Sequence, residues 1–167
     1  KGFVFRDDSG RGWRRVVASP LPLEIVELPQ IKALLAAGFV PVSCGGGGIP
    51  VVRGAKGLVG TAAVIDKDLA AWRLAEGLGA DTLLILTEVE NACLHYGKPG
   101  QQTLGRVDAR SMRGYLEQGH FAAGSMGPKV EAALRFVEAG TRRMAVITSL
   151  EKASLGAGGQ AGTIVYS

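Results

Sequence analysis

The sequence predicts an α/β fold, a layered and mostly parallel sheet with helices on both faces. Three observations carry that reading. The runs 82–87 (Thr-Leu-Leu-Ile-Leu-Thr) and 144–149 (Met-Ala-Val-Ile-Thr-Ser) are continuously apolar at their centres, as strands covered on both faces are. Helical spacing recurs around them, for example at Ala71, Leu74, Ala75 and Leu78, in positions i, i+3, i+4 and i+7. Glycine-rich loops fall at strand ends or just before helices, where sheets of this class bind ligands.

Taken in order, residues 3–5 and 13–17 flank the turn-rich stretch 7–12 and read as a hairpin. Residues 29–37 form a short helix that opens on Pro29 and is capped by Gly38. The apolar run 39–44 reads as a buried strand ending in Gly45-Gly46-Gly47-Gly48, and a second hairpin joins 49–52 to 58–59. A helix is expected over 68–78, with Asp68 as its N-cap and Gly79 as its stop. The strand 82–87 leads to a loop carrying His95-Tyr96-Gly97-Lys98-Pro99. A helix near 108–117, the loop 124–129, a helix over 130–138 and the strand 144–149 follow, and the chain closes on the apolar run 163–166. No internal repeat or long linker divides it.

Composition sets the outer bounds. The 167 residues suit one domain, and 47% hydrophobic with 20% charged residues suits a chain with a buried core. The net charge of +4 comes with paired arginines (Arg14-Arg15, Arg142-Arg143) rather than a long basic run, so a nucleic-acid surface is only weakly indicated and a small anionic substrate fits the charge equally well. Two cysteines give no disulfide framework, which points to a reducing compartment. No apolar run approaches the ~20 residues of a membrane span. The opening Lys1-Gly2-Phe3 carries no methionine and reads as a start that has been lost.

Two lysines stand out. Lys129 lies in Gly124-Ser125-Met126-Gly127-Pro128-Lys129, where a loop becomes a helix and Pro128 suits the first turn. A cation there opposes the helix dipole, a placement that improves if an anion sits between them. Lys67 lies between two carboxylates in Asp66-Lys67-Asp68, which can hold it charged and aimed at a transferring phosphoryl group. Read blandly, Lys67 is a solvated lysine beside a helix cap. Gly45 to Gly48 match neither a Walker loop nor a dinucleotide fingerprint, and serve equally as a flexible turn or as close backbone approach to a ligand. Tyr96 could stack on a base or simply pack on the surface. His95 and His120 lack metal-ligand spacing, and no His/Cys/Asp cluster marks a metal site, so a cation would arrive as Mg²⁺ with a nucleotide. Neither cysteine sits in a nucleophile's context.

Five motifs in order carry a more specific likeness: Gly10-Arg11-Gly12-Trp13-Arg14-Arg15-Val16-Val17, Gly45-Gly46-Gly47-Gly48-Ile49-Pro50-Val51, Val64-Ile65-Asp66-Lys67-Asp68-Leu69-Ala70, Tyr96-Gly97-Lys98-Pro99, and Gly124-Ser125-Met126-Gly127-Pro128-Lys129-Val130-Glu131-Ala132. Together they resemble the carbamate kinases of the amino acid kinase family. The likeness runs over essentially all of residues 1–167 but over only the C-terminal half or so of a family member. The chain therefore reads as the nucleotide-binding C-terminal part of such a domain, with the N-terminal part, its phosphate loop and its substrate-side lysine absent.

The resemblance implies a three-layer αβα sandwich with a mostly parallel central sheet. It implies reversible phosphoryl transfer between ATP and carbamate, giving ADP and carbamoyl phosphate with Mg²⁺, in a cytoplasmic homodimer that serves arginine or related nitrogen catabolism. No nucleic-acid or membrane partner is implied, and these residues alone are expected to be nearly inactive. Carried over by motif, Lys67 and Lys129 would contact the phosphates, Asp68 would hold the lysines, and Asp66 would lie beside the nucleotide. Tyr96 and Met126 would line the adenine and ribose pocket, with Gly127 and Pro128 in the same loop and Gly45, Gly46 and Gly47 bordering the site.

Three positions depart from the family pattern. Ala18 stands where proline is common, Glu88 where aspartate is common, and residues 155–160 are richer in glycine than usual. They leave room for a carbamate-kinase-like paralogue; the other rivals are another kinase of the same fold and a non-catalytic nucleotide-binding subunit, against which the lysine pair argues.

Overall fold

A computed structural model describes residues 2–7 and 12–167. The centre of the first turn, with Gly10 and Arg11 of the first motif, lies outside the described residues. Strands β1 (Val4–Asp7) and β2 (Trp13–Val16) pair antiparallel, with Val4 opposite Val16. Helix α1 (Leu28–Ala36) has proline in its first turn, and Gly38 follows it at φ 84°. Strands β3 (Val51–Gly54) and β4 (Gly57–Gly60) form the second expected hairpin.

Next come α2 (Lys67–Leu78), β5 (Thr82–Thr87), the short strands β6 (Cys93–Leu94) and β7 (Gln102–Thr103), and β8 (Arg106–Asp108). Helices α3 (Ala109–Glu117) and α4 (Met126–Glu138), strand β9 (Met144–Ser149), a 3₁₀ turn at Leu150–Lys152, α5 (Ala153–Ala157) and β10 (Thr163–Tyr166) complete the chain.

The central sheet runs β5-β9-β10-β8. β5 lies parallel to β9, and β8 parallel to β10, while β10 is antiparallel to β9. The sheet is thus mixed, with two parallel pairings around one antiparallel one. The period-2 geometry of a strand sorts its side chains into two faces. Leu83, Ile85, Ala145, Ile147 and Val165 join Val130, Leu134, Phe136 and Val137 of α4 and Trp72 of α2 in one buried cluster. The other face of β5 and β9 packs on α5, where a Cβ on Gly156 would lie within 2.8 Å of Thr148, 3.2 Å of Leu84 and 3.6 Å of Val146. Helices therefore cover both faces, as the unbroken apolar runs require.

Three expectations need correction. Residues 39–44 pair with no strand among the described residues, and Val40 and Val42 are 92% and 98% exposed. Apolar, β-prone sequence forms a ladder only beside another strand, and Pro41 lacks an N–H to offer one. The helix expected from Asp68 starts at Lys67, because Asp66, not Asp68, is its N-cap. The helix read over 130–138 extends back to Met126, so that Gly127 joins Pro128 and Lys129, both expected there, in its first turn.

Candidate functional site

The start of α2 explains how one carboxylate is freed for another task. Asp66 sits in extended backbone, and its Oδ1 accepts hydrogen bonds from the amides of Asp68 (2.8 Å) and Leu69 (3.2 Å). With the helix end satisfied by Asp66, the Asp68 side chain turns inward. Its Oδ2 lies 3.0 Å from Lys129 Nζ, 61 residues away on the first turn of α4, and 3.5 Å from Lys67 Nζ. Asp68 and Lys129 are both buried, whereas the Lys67 side chain is 60% exposed. One buried carboxylate thus gathers two cations, one anchored in the interior and one reaching into solvent.

The glycine loop abuts this arrangement. Gly47 is buried at φ 131°, and a Cβ there would fall 2.2 Å from the Ile65 carbonyl oxygen and 3.6 Å from the Lys67 amide. Only glycine permits that approach. Gly45 and Gly46 are exposed, with open space where their Cβ atoms would be. Close approach at Gly47 is thus to the protein's own backbone. Cys44, which leads into the loop, has its thiol pKa raised by burial and then by nearby Glu27, the opposite of an activated nucleophile.

The first turn of α4 offers fewer free amides than its sequence suggests. The amides of Ser125 and Gly127 both donate to the Ala122 carbonyl, at 3.1 and 2.9 Å, and Pro128 has none. Of the four N–H groups that a helix start leaves open, that of Met126 remains among the described residues. The positive charge at this point therefore comes mainly from Lys129. Gly127 has a packing reason of its own, since a Cβ there would lie 3.0 Å from the Ala122 carbonyl oxygen.

A cavity of about 220 Å³ opens beside Lys129 at the carboxyl end of β5. Tyr96, Met126 and Lys129, singled out in sequence, share its lining with Glu88, Cys93 and His120. Tyr96 sits at the tip of the β6–β7 hairpin. Thr163 of β10 ties down the root of that hairpin: its hydroxyl accepts from the Ala92 amide and donates to the Leu104 carbonyl. Asn91 adds a 3.0 Å bond to the same carbonyl. Asp66, Gly127 and Pro128 instead line a second, open hollow. In sequence, His120 and Cys93 showed neither metal-ligand spacing nor a nucleophile's context, and nothing there marked them as cavity residues. His120 had only its separation from His95 to speak for it, and that separation means nothing until the chain is folded.

Comparison with known proteins now adds to this geometry. The profile of the amino acid kinase family matches residues 5–148. The chain is 50% identical over 163 residues to carbamate kinase of Clostridium perfringens, covering 98% of this chain and 52% of that relative. It is 49% identical over 165 residues to the carbamate kinase-like protein YqeA of Escherichia coli, covering 99% of this chain and 53% of the relative. Among solved structures, carbamate kinase from Giardia lamblia bound to AMP-PNP superposes with a TM-score of 0.91 at 47% identity, covering 99% of this chain and 52% of that one. The chain spans about half the length of the relatives it matches.

Proposed function

The chain belongs to the amino acid kinase family, and from that premise we propose that it forms the nucleotide side of a carbamate kinase, catalysing reversible transfer of a phosphoryl group between ATP and carbamate. The observation that carries this reading is Asp68, which gathers Lys129 and Lys67 from two helices beside a cavity at the end of a sheet strand. Phosphoryl transfer asks for little covalent chemistry from the protein. It asks for fixed positive charge around the transferring oxygens and for good positioning. Lys129, held by Asp68 in a nearly dry setting, supplies a charge that costs little to reorganise. Lys67 is long, exposed and tethered to the same carboxylate, so it can close on the phosphates when they arrive. No covalent enzyme intermediate is needed.

The nucleoside is read as lying in the cavity against Tyr96 and Met126, its phosphates toward Lys129. That a carbamate kinase from Giardia lamblia of the same fold was solved bound to AMP-PNP supports a nucleotide as the ligand. Mg²⁺ would neutralise charge between the phosphates when bound. No group of three or more His, Cys, Asp or Glu that could cage it occurs among the described residues; with a nucleotide bound, Mg²⁺ would be held chiefly by phosphate oxygens and water. The cytoplasmic homodimer and the role in arginine catabolism remain part of this proposal. No helix among the described residues is long and apolar enough to cross a membrane.

The deciding experiment is ATP formation from ADP and carbamoyl phosphate by the full-length protein that carries these residues, with Lys67→Ala in it as the control. Turnover that collapses in the variant supports the reading. Nucleotide binding without turnover would point to a non-catalytic subunit, and turnover with a different acyl phosphate alone would point to another kinase of the same fold.

A further inference from the structure

Helix α3 ends in a motif that fixes one side chain of the cavity wall. The Gly119 amide donates to the Leu116 carbonyl (3.0 Å) and the His120 amide to the Tyr115 carbonyl (3.2 Å), with Gly119 at φ 76°. This is the Schellman pattern, in which the residue after the left-handed glycine packs back on the last turn. The ring of His120 accordingly meets that of Tyr115 edge to face, with centroids 6.0 Å apart. Its Nε2 lies 3.2 Å from Gln118 Oε1.

On its other side, His120 meets His95 edge to face at a centroid distance of 4.7 Å and an interplanar angle of 88°. His95 immediately precedes Tyr96 and sits in the left-handed region at φ 52°. That conformation is uncommon for a residue with a side chain and persists where surrounding contacts hold it. Here the holding contacts are the His95 carbonyl, which accepts from the Lys98 amide at 2.9 Å, and the ring pair. The Gly97 amide, bound to Gln101 Oε1 at 2.8 Å, completes the turn.

We infer that His120 and His95 act together as a latch that positions the Tyr96 tip against the nucleoside end of the cavity, so that they set nucleotide affinity without contributing to the hold on phosphate. The inference rests on the nucleotide reading of this cavity. Its logic is spatial. Lys129 marks the phosphate end, whereas the two imidazoles connect the Tyr96 hairpin to the rigid end of α3. Both tethers of the hairpin root, Thr163 and Asn91, lie at its base. The ring pair restrains its tip.

The test is binding of N-methylanthraniloyl-ADP to the protein, in parallel with competition by tripolyphosphate, which carries phosphates without a nucleoside. His120→Ala and His95→Asn (asparagine tolerates the left-handed backbone) are each expected to weaken the nucleotide about three- to tenfold, the range an aromatic pair supports. The double variant should be no weaker than either single one, because each already breaks the same contact. His120→Phe, which keeps an edge-to-face ring, should bind within twofold of the parent, and tripolyphosphate should compete equally with all four. Single variants within twofold of the parent, fully additive losses, or an equal loss for tripolyphosphate would overturn the latch while leaving the nucleotide site intact. Failure of the parent protein to bind the nucleotide would instead remove the site reading, and the latch with it.

Discussion

Replacing Asp68 by alanine tests the arrangement most directly, because Lys129 would then be left with a buried charge and no carboxylate. At 3.0 Å, an effective dielectric constant of about 20 gives a gross attraction of roughly 5–6 kcal/mol. The cost of desolvating two charges offsets much of that in the intact pair. Removing one partner leaves this cost uncompensated for the other, typically about 3–5 kcal/mol. Lys129 and Asp68 keep 8% and 6% of their surface exposed, so the lower end, about 3 kcal/mol, is expected. For a chain of 167 residues that corresponds to a melting point lowered by roughly 6–12 °C. Urea unfolding followed by fluorescence reads the change, since Trp72 is buried in the core next to Arg135. The double variant Asp68→Ala/Lys129→Met, which removes both charges, should recover most of the loss. A single Asp68→Ala variant within 0.5 kcal/mol (an order-of-magnitude bound for ordinary surface changes) would refute the reasoning. By the same logic, Lys129→Ala strands a buried Asp68 and should destabilise by a comparable amount.

Lys67→Ala should behave differently, because its 3.5 Å pair is exposed on the lysine side. Stability is expected to change by no more than about 0.5 kcal/mol, while carbamoyl-phosphate-dependent ATP formation by the full-length protein falls roughly a hundredfold or more; near-normal turnover would sink the assigned role. Gly47→Ala should cost more than about 2 kcal/mol in urea unfolding, since it combines a left-handed φ with a clash against the Ile65 carbonyl, whereas Gly46→Ala should be nearly silent. Equal effects at the two positions would contradict the described loop. Asp108, whose carboxyl pKa is lowered first by the Ser111 amide and then by the Ser111 hydroxyl, contributes stability that is present above the ordinary carboxylate pKa and lost as the pH falls through its folded value. An Asp108→Asn variant should therefore show a shallower fall in melting temperature on acidification, and an unchanged slope would remove Asp108 from the account.

Local sequence was enough to determine most elements of this protein. The helical spacing in α2, the apolar runs of β5 and β9, and both hairpins answer to neighbours a few residues away, and each formed within two residues of its expected bounds. The two lysines were legible too, because a cation in the first turn of a helix and one between two aspartates are each unusual in their own context. Tertiary structure decided the rest. Which aspartate caps α2 depended on where the helix began, and that choice alone released Asp68 toward Lys129, 61 residues on. The meeting of His95 with His120, and the packing of Gly47 on the Ile65 backbone, likewise join segments that no periodicity connects. The run 39–44 shows the limit from the other side: its sequence specifies a strand, but a strand forms only beside a partner, and among the described residues it has none.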